Sequence, residues 1–263
     1  MRILVPVKEV ATVEDEFEID GTEIAEQYLG ADLNEWDDYA IEEAVQLRED
    51  GVADEVVTVT IGPEECEQTI RQALAKGADR AVRIWDDALE GVDLLDVGAK
   101  TEILSAVVEE EDPDLVLTGV QAGDDSFGAT GVSVAENLSY QWGAVVNHLE
   151  HDFEGGIASV HRELEGGVEE LTDIELPAVL TIQTGINEPR YASLRGIRQA
   201  QQKPLDVQNL AELGIDEGAI ESELELTDMY EPESESDVTT WEGSSDETAG
   251  QLAEMLRDKG VAQ

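Results

Sequence analysis

The sequence predicts an α/β protein with a doubly wound, mostly parallel sheet and flanking helices. Two observations support this fold class. Uniformly apolar segments rich in Val, Ile and Leu suit parallel strands buried on both faces, and helical patterns alternate with them. The predicted strands cover residues 2–7, 55–62, 80–85, 114–120 and 177–184.

Three helices are predicted between these strands. The first follows Asn34, a candidate N-cap. Its apolar residues recur about every 3.6 positions and comprise Trp36, Ala40, Ala44 and Leu47. The second runs from about residue 63 to 76, with Pro63 in its first turn and Gly77 closing it. The third covers roughly residues 93–111, because Pro113 ends it.

The C-terminal third departs from this alternation. Residues 157–174 contain two alternating segments around Glu165-Gly166-Gly167, a pattern typical of a β-hairpin extension at one sheet edge. After Lys203 no Lys or Arg occurs until Arg257. Residues 221–247 therefore have the composition of a solvated, extended arm, and a helical stripe returns in residues 247–260. We expect an α/β nucleotide-binding domain at 1–205 and an acidic C-terminal arm at 206–263 that ends in a short amphipathic helix.

The charge of the chain excludes several partners. Asp and Glu number 63 against 15 Lys and Arg, which gives a net charge of -48. Nucleic-acid binding depends on Lys and Arg, so no nucleic-acid partner is expected, and an anionic membrane surface would repel the chain. The acids lie on nearly every predicted helix as well as in the arm. This favours a halophilic protein, with an ordinary acidic protein carrying a disordered tail as the alternative.

No segment approaches the roughly 18 apolar residues that cross a bilayer, and MRILVPVKEV enters a strand pattern without a signal peptide. We therefore expect a cytoplasmic protein without membrane insertion.

Groups for independent catalysis are scarce. Cys66 is the single cysteine and has no basic neighbours that would lower its pKa, so it is interpreted as a buried small residue. His148, His151 and His161 do not form a convincing metal set. No serine lies in a nucleophile elbow, and no carboxylate pair can be singled out. We expect neither a metal site nor an enzyme.

The glycine-rich loop, residues 119–131 (GVQAGDDSFGATG), follows a predicted central strand and opens a helix. Ligands of open α/β sheets bind at such a place. Its glycines, Gly123, Gly128 and Gly131, allow the backbone to approach a ligand closely. Ser126, Thr130 and the N–H groups of the following helix can donate to phosphate.

The same loop carries Asp124 and Asp125, which suit ribose hydroxyls, backbone capping or a cation better than phosphate. Its spacing matches neither GxGxxG nor a Walker loop. From spacing alone, nucleotide binding, a structural turn and an ATP-binding stress-sensor domain all stay open.

Residues 160–197, from VHREL-EGGVEEL to LPAVLTIQTGINEPRYASLRGI, closely resemble the signature region of the electron-transfer flavoprotein β subunit. Residues 3–10, 33–49, 61–82 and 114–125 agree in the family's order, so the resemblance covers nearly all of 1–207. It implies a heterodimer in which an α subunit provides most FAD contacts and the β subunit holds a buried AMP. Electrons would pass from dehydrogenases, such as acyl-CoA dehydrogenases, to a membrane quinone reductase, while the arm would wrap the α subunit.

The resemblance also implies the cofactor-binding residues, which fall at or after the ends of predicted strands. They are Pro6, Asn34, Glu35, Trp36, Asp37, Ile61, Gly119, Gln121, Ala122, Gly123, Asp124, Asp125, Ser126, Gly128 and Thr130. This chain departs from the family at Pro6, Gly123 and Gly128-Ala129, where smaller or different residues make a roomier loop. Bifurcating members place a second FAD in this pocket, so either AMP or a second FAD is expected.

NEPRY, residues 187–191, precedes the family's recognition loop, whose leucine anchor corresponds to Leu194. The implied partner-docking residues are Arg190, Tyr191, Leu194, Arg195 and Arg198. Arg195 and Arg198 replace the common Pro and Met, which favours a different or more acidic partner. The alternative is that the arginines pair with the protein's own acidic surface. For Trp36, both a place near the flavin and a place in the core stay open.

Overall fold

The computed structural model describes residues 1–92, 94–232 and 239–261. The chain divides into two compact units, Met1–Asp228 and Met229–Gln263. The strands of the first unit are β1 (Arg2–Pro6), β2 (Glu9–Val13), β3 (Ile19–Asp20), β4 (Glu23–Ile24), β5 (Leu29–Leu33), β6 (Glu55–Ile61), β7 (Arg80–Ile84), β8 (Leu115–Gly119), β9 (Gln141–Leu149), β10 (Ile157–Leu164), β11 (Val168–Glu175), β12 (Ala178–Ile182) and β13 (Leu205–Gln208). Its helices are α1 (Glu35–Glu49), α2 (Glu67–Lys76), α3 (Val97–Glu111), α4 (Thr130–Leu138) and α5 (Leu194–Ala200).

Nine of these strands form one sheet in the order β11-β10-β9-β12-β8-β1-β6-β7-β13. In this sheet order, every neighbouring pair from β9 through β12, β8, β1, β6 and β7 to β13 is parallel. The β9–β10 and β10–β11 pairs are antiparallel. The chain goes from β1 to β6 and β7 on one side and then returns to β8 on the other. The strand order therefore reverses between β1 and β8, and the crevice at their carboxyl ends is where open α/β sheets bind ligands.

Both faces of the sheet are covered, because alternate residues of each strand point to opposite sides. Ile3 and Val5 of β1 belong to a core cluster with apolar residues of α1 and α2. Leu4 belongs to the opposite cluster with residues of α3 and α4. This arrangement confirms the predicted doubly wound α/β fold.

All five predicted strands lie in the sheet, and the predicted hairpin forms β10 and β11 at its edge. The second helix begins with a 3-10 turn at Glu64–Cys66 before α2. The third begins at Val97, because the Asp96 carboxylate accepts the N–H of Ala99 at 2.9 Å and caps it. The predicted start at residue 93 lies outside the described residues.

Several strands have no counterpart in the prediction. β9 carries polar residues among its apolar ones, and β13 is a short, mostly exposed edge strand. We expected the arm to begin at residue 206, but the first compact unit extends to Asp228. Leu210 and Ile220 are buried in the core cluster on the α3 face.

The second unit contains the expected C-terminal helix, α6 (Ser245–Asp258), which starts with a capping box of Ser244 and Glu247. Residues 233–238 and 262–263 of the predicted arm lie outside the described residues. Within the part of the chain that the structure describes, no helix is both long and apolar enough to span a bilayer.

Candidate functional site

Asp37, near the start of α1, bridges the two strands at the point where the strand order reverses. Its Oδ2 accepts the N–H of Lys8, just beyond β1, at 2.8 Å. Its Oδ1 accepts the N–H of Gly119, the last residue of β8, at 3.1 Å. The carboxyl is only 7% exposed. One side chain thus fixes both strand ends and the start of a helix at the ligand edge of the sheet.

The Asp37 carboxyl has an unusually high pKa. Burial raises its pKa from the ordinary 3.8 to about 7, and the hydrogen bonds from Lys8, Asn34 and Gly119 offset only part of this effect. The charge at the base of the site therefore changes near neutral pH.

Asn34 attaches α1 to the glycine-rich loop. It occupies the N-cap position, as predicted, but its side chain makes no capping hydrogen bond. Instead its Nδ2 donates to the carbonyl oxygen of Gln121 at 2.8 Å, and its Oδ1 accepts the N–H of Gly123 at 3.2 Å. The side chain therefore orders the loop and leaves helix N–H groups without a side-chain cap.

Two glycines have distinct roles in the loop. A Cβ at Gly119 would lie 2.5 Å from Asp37 Oδ1 and 2.6 Å from Trp36 Cβ, so only glycine permits this approach of α1. Gly128 has a φ of 62°, in the left-handed region that glycine adopts without strain. Gly123 is different, because a methyl group at this position would have Trp36 Cζ3, at 3.9 Å, as its nearest atom. A methyl group there would therefore make an ordinary van der Waals contact without a clash.

Two lysines hold the adjacent aspartates of the loop. Lys8 Nζ pairs with Asp124 and, at 2.9 Å, with Asp125 Oδ2. Lys100 Nζ, in the first turns of α3, pairs with the same Asp125 oxygen and lies 5.0 Å from the centre of the Phe127 ring. Burial raises the pKa of Asp125, but the two ammonium groups outweigh it and hold that pKa below its ordinary value. The aspartates thus keep two cations beside the loop.

These cations and α4 provide donors suited to phosphate. Helix α4 begins directly after the loop, and its N-cap, Ala129, has no side chain that can cap. The N–H groups of its first turn therefore point into the loop region without side-chain partners. Backbone N–H groups at a helix start and ammonium groups are donors that suit an anionic group such as a phosphate.

The sequence prediction missed Lys8 and Lys100, although signals for both existed. Lys8 follows β1 directly, and the helix that carries Lys100 begins at the carboxyl edge of the sheet because it leads back to the parallel strand β8. The chain has 15 basic residues against 63 acidic ones, so a Lys predicted at that edge is itself a signal of an anion-binding site.

The remaining predicted cofactor residues lie around this centre. Pro6 and Ile61 end β1 and β6, and Glu35 is exposed at the start of α1. Trp36 is half-buried, and its indole Nε1 donates to Gln183 Oε1, beyond β12, at 3.3 Å. The rest belong to the glycine-rich loop itself: Gln121, Ala122, Ser126 and Thr130.

The structure separates the predicted docking residues into two groups. Arg190 turns inward and forms salt bridges with Glu42 and Glu49 of α1. Tyr191 and Leu194, in contrast, are 97% and 79% exposed. Arg195 and Arg198 on α5 are exposed and form no ion pair or hydrogen bond through their side chains within the described chain.

The three histidines lie outside the glycine-rich loop. His148 and His161 are paired on β9 and β10, with ring centroids 4.7 Å apart. His151 contacts Glu43 of α1 and Asp50, the residue directly after that helix. Among residues 1–92, 94–232 and 239–261, no group of three or more His, Cys, Asp or Glu side chains is arranged to hold a metal ion.

Comparisons with known proteins agree on one family. A model of the electron transfer flavoprotein domain matches residues 21–213. The electron transfer flavoprotein subunit beta of Methylophilus methylotrophus is 46% identical over 264 residues, which cover 98% of each chain. The mitochondrial protein of that name from Arabidopsis thaliana is 35% identical over 88% of this chain and 90% of its own. The electron transfer flavoprotein subunit beta of Syntrophomonas wolfei is 32% identical over 98% of this chain and 96% of its own. The matched region includes the glycine-rich loop and α5.

Proposed function

The chain belongs to the electron transfer flavoprotein family as a β subunit, and from this membership we propose that it binds AMP between β1 and β8. We further propose that it supports the FAD site of an α subunit without catalysis of its own. Because the chain belongs to this family, we set aside the hypothesis of a universal-stress sensor, which the loop alone left open. FAD, when bound, takes up and releases the electrons, while this chain orders the site and presents a docking surface.

The observation that carries the nucleotide proposal is the meeting of three elements at the switch point. Asp37 joins the ends of β1 and β8, and Asn34 orders the loop backbone. Lys8 and Lys100, held by the Asp124 and Asp125 carboxylates, supply ammonium donors beside the loop. Fixed donors at a helix N-terminus, with two ammonium groups beside them, suit a nucleotide phosphate.

The first experiment is to purify the chain with its partner from its host in high salt and to quantify the nucleotides released on denaturation. One FAD and one AMP per αβ pair supports the proposal. Two FAD and no AMP supports the bifurcating form. A flavin-free homodimer would contradict the proposed role.

A variant pair tests the site itself. Lys100→Gln should lower the AMP content, because it removes one of the two cations beside the loop. Lys259→Gln removes the same charge from α6's end in the second unit and should retain AMP at the wild-type level. Equal AMP contents in both variants would contradict the assignment of Lys100.

We also propose that α5 docks the electron-donating dehydrogenases, such as acyl-CoA dehydrogenases. Among residues 1–228, the other Lys and Arg side chains make salt bridges or hydrogen bonds with the protein, whereas Arg195 and Arg198 make none within the described residues. Leu194 lies beside them and is exposed. An apolar anchor next to two unpaired cations fits a partner pocket with an acidic rim.

The docking proposal has a simple kinetic test. Leu194→Ala should raise the KM of the complex for an acyl-CoA dehydrogenase from the host, reduced with butyryl-CoA. The Arg195→Gln and Arg198→Gln variants should also raise it, and their effect should shrink as salt increases. Unchanged KM values in all three variants would contradict docking through α5.

The remaining roles rest on the family and on charge. We propose that electrons leave through a membrane quinone reductase and that the part of the acidic arm after Asp228 wraps the α subunit. We also propose that the acidic surface is adapted to a salt-rich cytoplasm. Loss of solubility or of bound flavin on dialysis to low salt would support the last point.

A further inference from the structure

Helix α1 presents a stripe of acids to the chain segment that precedes α5: Asp38 is half-buried, Glu42 is buried and Glu49 is exposed. Asp38, Glu42 and Glu49 are four and seven residues apart, so they lie on one face of the helix. Glu42 is 5% exposed and the adjacent Glu43 is 3% exposed. Buried carboxylates are costly unless a cation or hydrogen-bond donor pairs with them. The partners of these acids are therefore informative.

Arg190 supplies the cation for two of them. Its Nε donates to Glu42 Oε2 at 2.7 Å and its Nη2 to Glu42 Oε1 at 3.0 Å. Nη1 and Nη2 also donate to the two carboxylate oxygens of Glu49, at 2.7 and 2.9 Å. The backbone N–H of Arg190 donates to Glu42 Oε2 at 3.2 Å as well. The Glu42 and Glu49 carboxylates thus both bind the Arg190 guanidinium, and Glu42 also accepts the backbone N–H of Arg190.

Two further anchors hold the same segment. Asn187 Nδ2 donates to Glu43 Oε2 at 2.9 Å and to the carbonyl oxygen of Tyr39 at 3.1 Å. Lys76 Nζ, on α2, donates to the carbonyl oxygen of Arg190 at 2.9 Å while it pairs with Asp38 at 2.7 Å. The chain is therefore fixed at residues 187 and 190, directly before the exposed Tyr191 and Leu194.

We propose that Arg190, gripped by Glu42 and Glu49, is a positioning residue that fixes the docking surface of α5 and does not itself contact the partner. The inference rests on the proposed docking function of α5. A surface that is ordered before binding loses less conformational entropy when a partner binds. The residues that follow Arg190 expose apolar groups to solvent, so without the anchor the same contacts would have to be ordered during docking.

The first test is hydrogen–deuterium exchange of the full chain with its co-purified partner, followed in peptides that cover residues 187–200. Arg190→Gln should speed exchange there by about tenfold or more, which is typical of the loss of a coupled contact. Arg190→Lys keeps the charge but cannot fork to both carboxylates, so it should fold and give an intermediate rate. Arg198→Gln is the matched control, because it removes the same charge from an unpaired arginine and should leave exchange unchanged.

A double-mutant cycle identifies the partner of Arg190. If Arg190 acts through Glu42, the Glu42→Gln and Arg190→Gln variants should speed exchange similarly, and the double variant should be no faster than the worse single variant. Additive effects, or wild-type exchange in both Arg190 variants, would overturn the proposal.

Kinetics separate positioning from a general loss of structure. Arg190→Gln should raise the KM for butyryl-CoA-reduced acyl-CoA dehydrogenase by about tenfold with kcat and flavin content unchanged. A fall in kcat or in flavin content without a KM change would overturn the positioning role. If that dehydrogenase does not dock at all, KM cannot be measured and the docking function fails. The exchange data still decide whether Arg190 anchors the segment.

Discussion

The buried Asp37 predicts an unusual dependence of stability on pH. The folded protein keeps the Asp37 proton up to about pH 7, whereas an unfolded chain releases it near its ordinary value of 3.8. Between these values the folded state binds more protons than the unfolded state, so stability falls as pH rises. At about 1.4 kcal/mol for each pKa unit, the loss amounts to about 4 kcal/mol at alkaline pH. About 2–3 kcal/mol of it falls between about pH 5 and about pH 8.

Asp37→Asn removes this titration while it keeps the shape of the side chain. The amide can accept only one of the two backbone N–H groups, which costs about 1–3 kcal/mol at every pH. The pH-dependent part is therefore isolated in the difference between the two proteins.

The assay is denaturant unfolding of wild type and variant at fixed salt and protein concentration, at several pH values across that range. Relative to wild type, the variant should gain about 2–3 kcal/mol between about pH 5 and about pH 8. A difference that stays constant with pH would refute the argument that burial sets the protonation of Asp37.

Three further predictions concern residues that begin, flank or contact α1. Gly119→Ala should destabilise the protein by about 1–3 kcal/mol because the methyl overlaps α1, whereas Gly123→Ala should change its melting temperature little; equal shifts would contradict this. Asn34→Ala should speed hydrogen exchange in the glycine-rich loop, and Asn34→Ser should not restore it. Restoration would mean that capping, and not the loop contact, matters. Burial lowers the pKa of His151, but the Asp50 and Glu43 carboxylates outweigh it and raise that pKa. His151→Gln should therefore cost stability of order 1 kcal/mol at about pH 6, and progressively less as pH rises through the folded pKa; a cost independent of pH would count against it.

Local patterns in the sequence predicted the elements that dominate the fold. The five apolar segments form parallel strands because strands buried on both faces need no polar alternation. The Glu165-Gly166-Gly167 turn predicted the hairpin because it joins two alternating strands. One strand that sequence analysis did not find, β13, is short and mostly exposed, so no apolar periodicity marks it.

The site was predictable in position but not in its contacts. A glycine-rich segment after a central strand indicated the ligand edge of the sheet, and the resemblance supplied the residues around it. The pairing of Lys8 with Asp124, however, joins residues 116 positions apart. Such a contact depends on which strands are neighbours, and the strand order is a property of the folded sheet.

Residues 187–198 show most clearly the difference between what the sequence predicts and what the fold decides. The order of residues along the chain already places three arginines close together near a leucine in a protein poor in cations. It does not distinguish among them, whereas in the folded chain Arg190 turns inward and Arg195 and Arg198 stay unpaired within the described residues. The reason is that an ion pair requires two groups within about 4 Å. Packing of residues 187–190 against α1 brings Arg190, but not Arg195 or Arg198, to the carboxylates of Glu42 and Glu49.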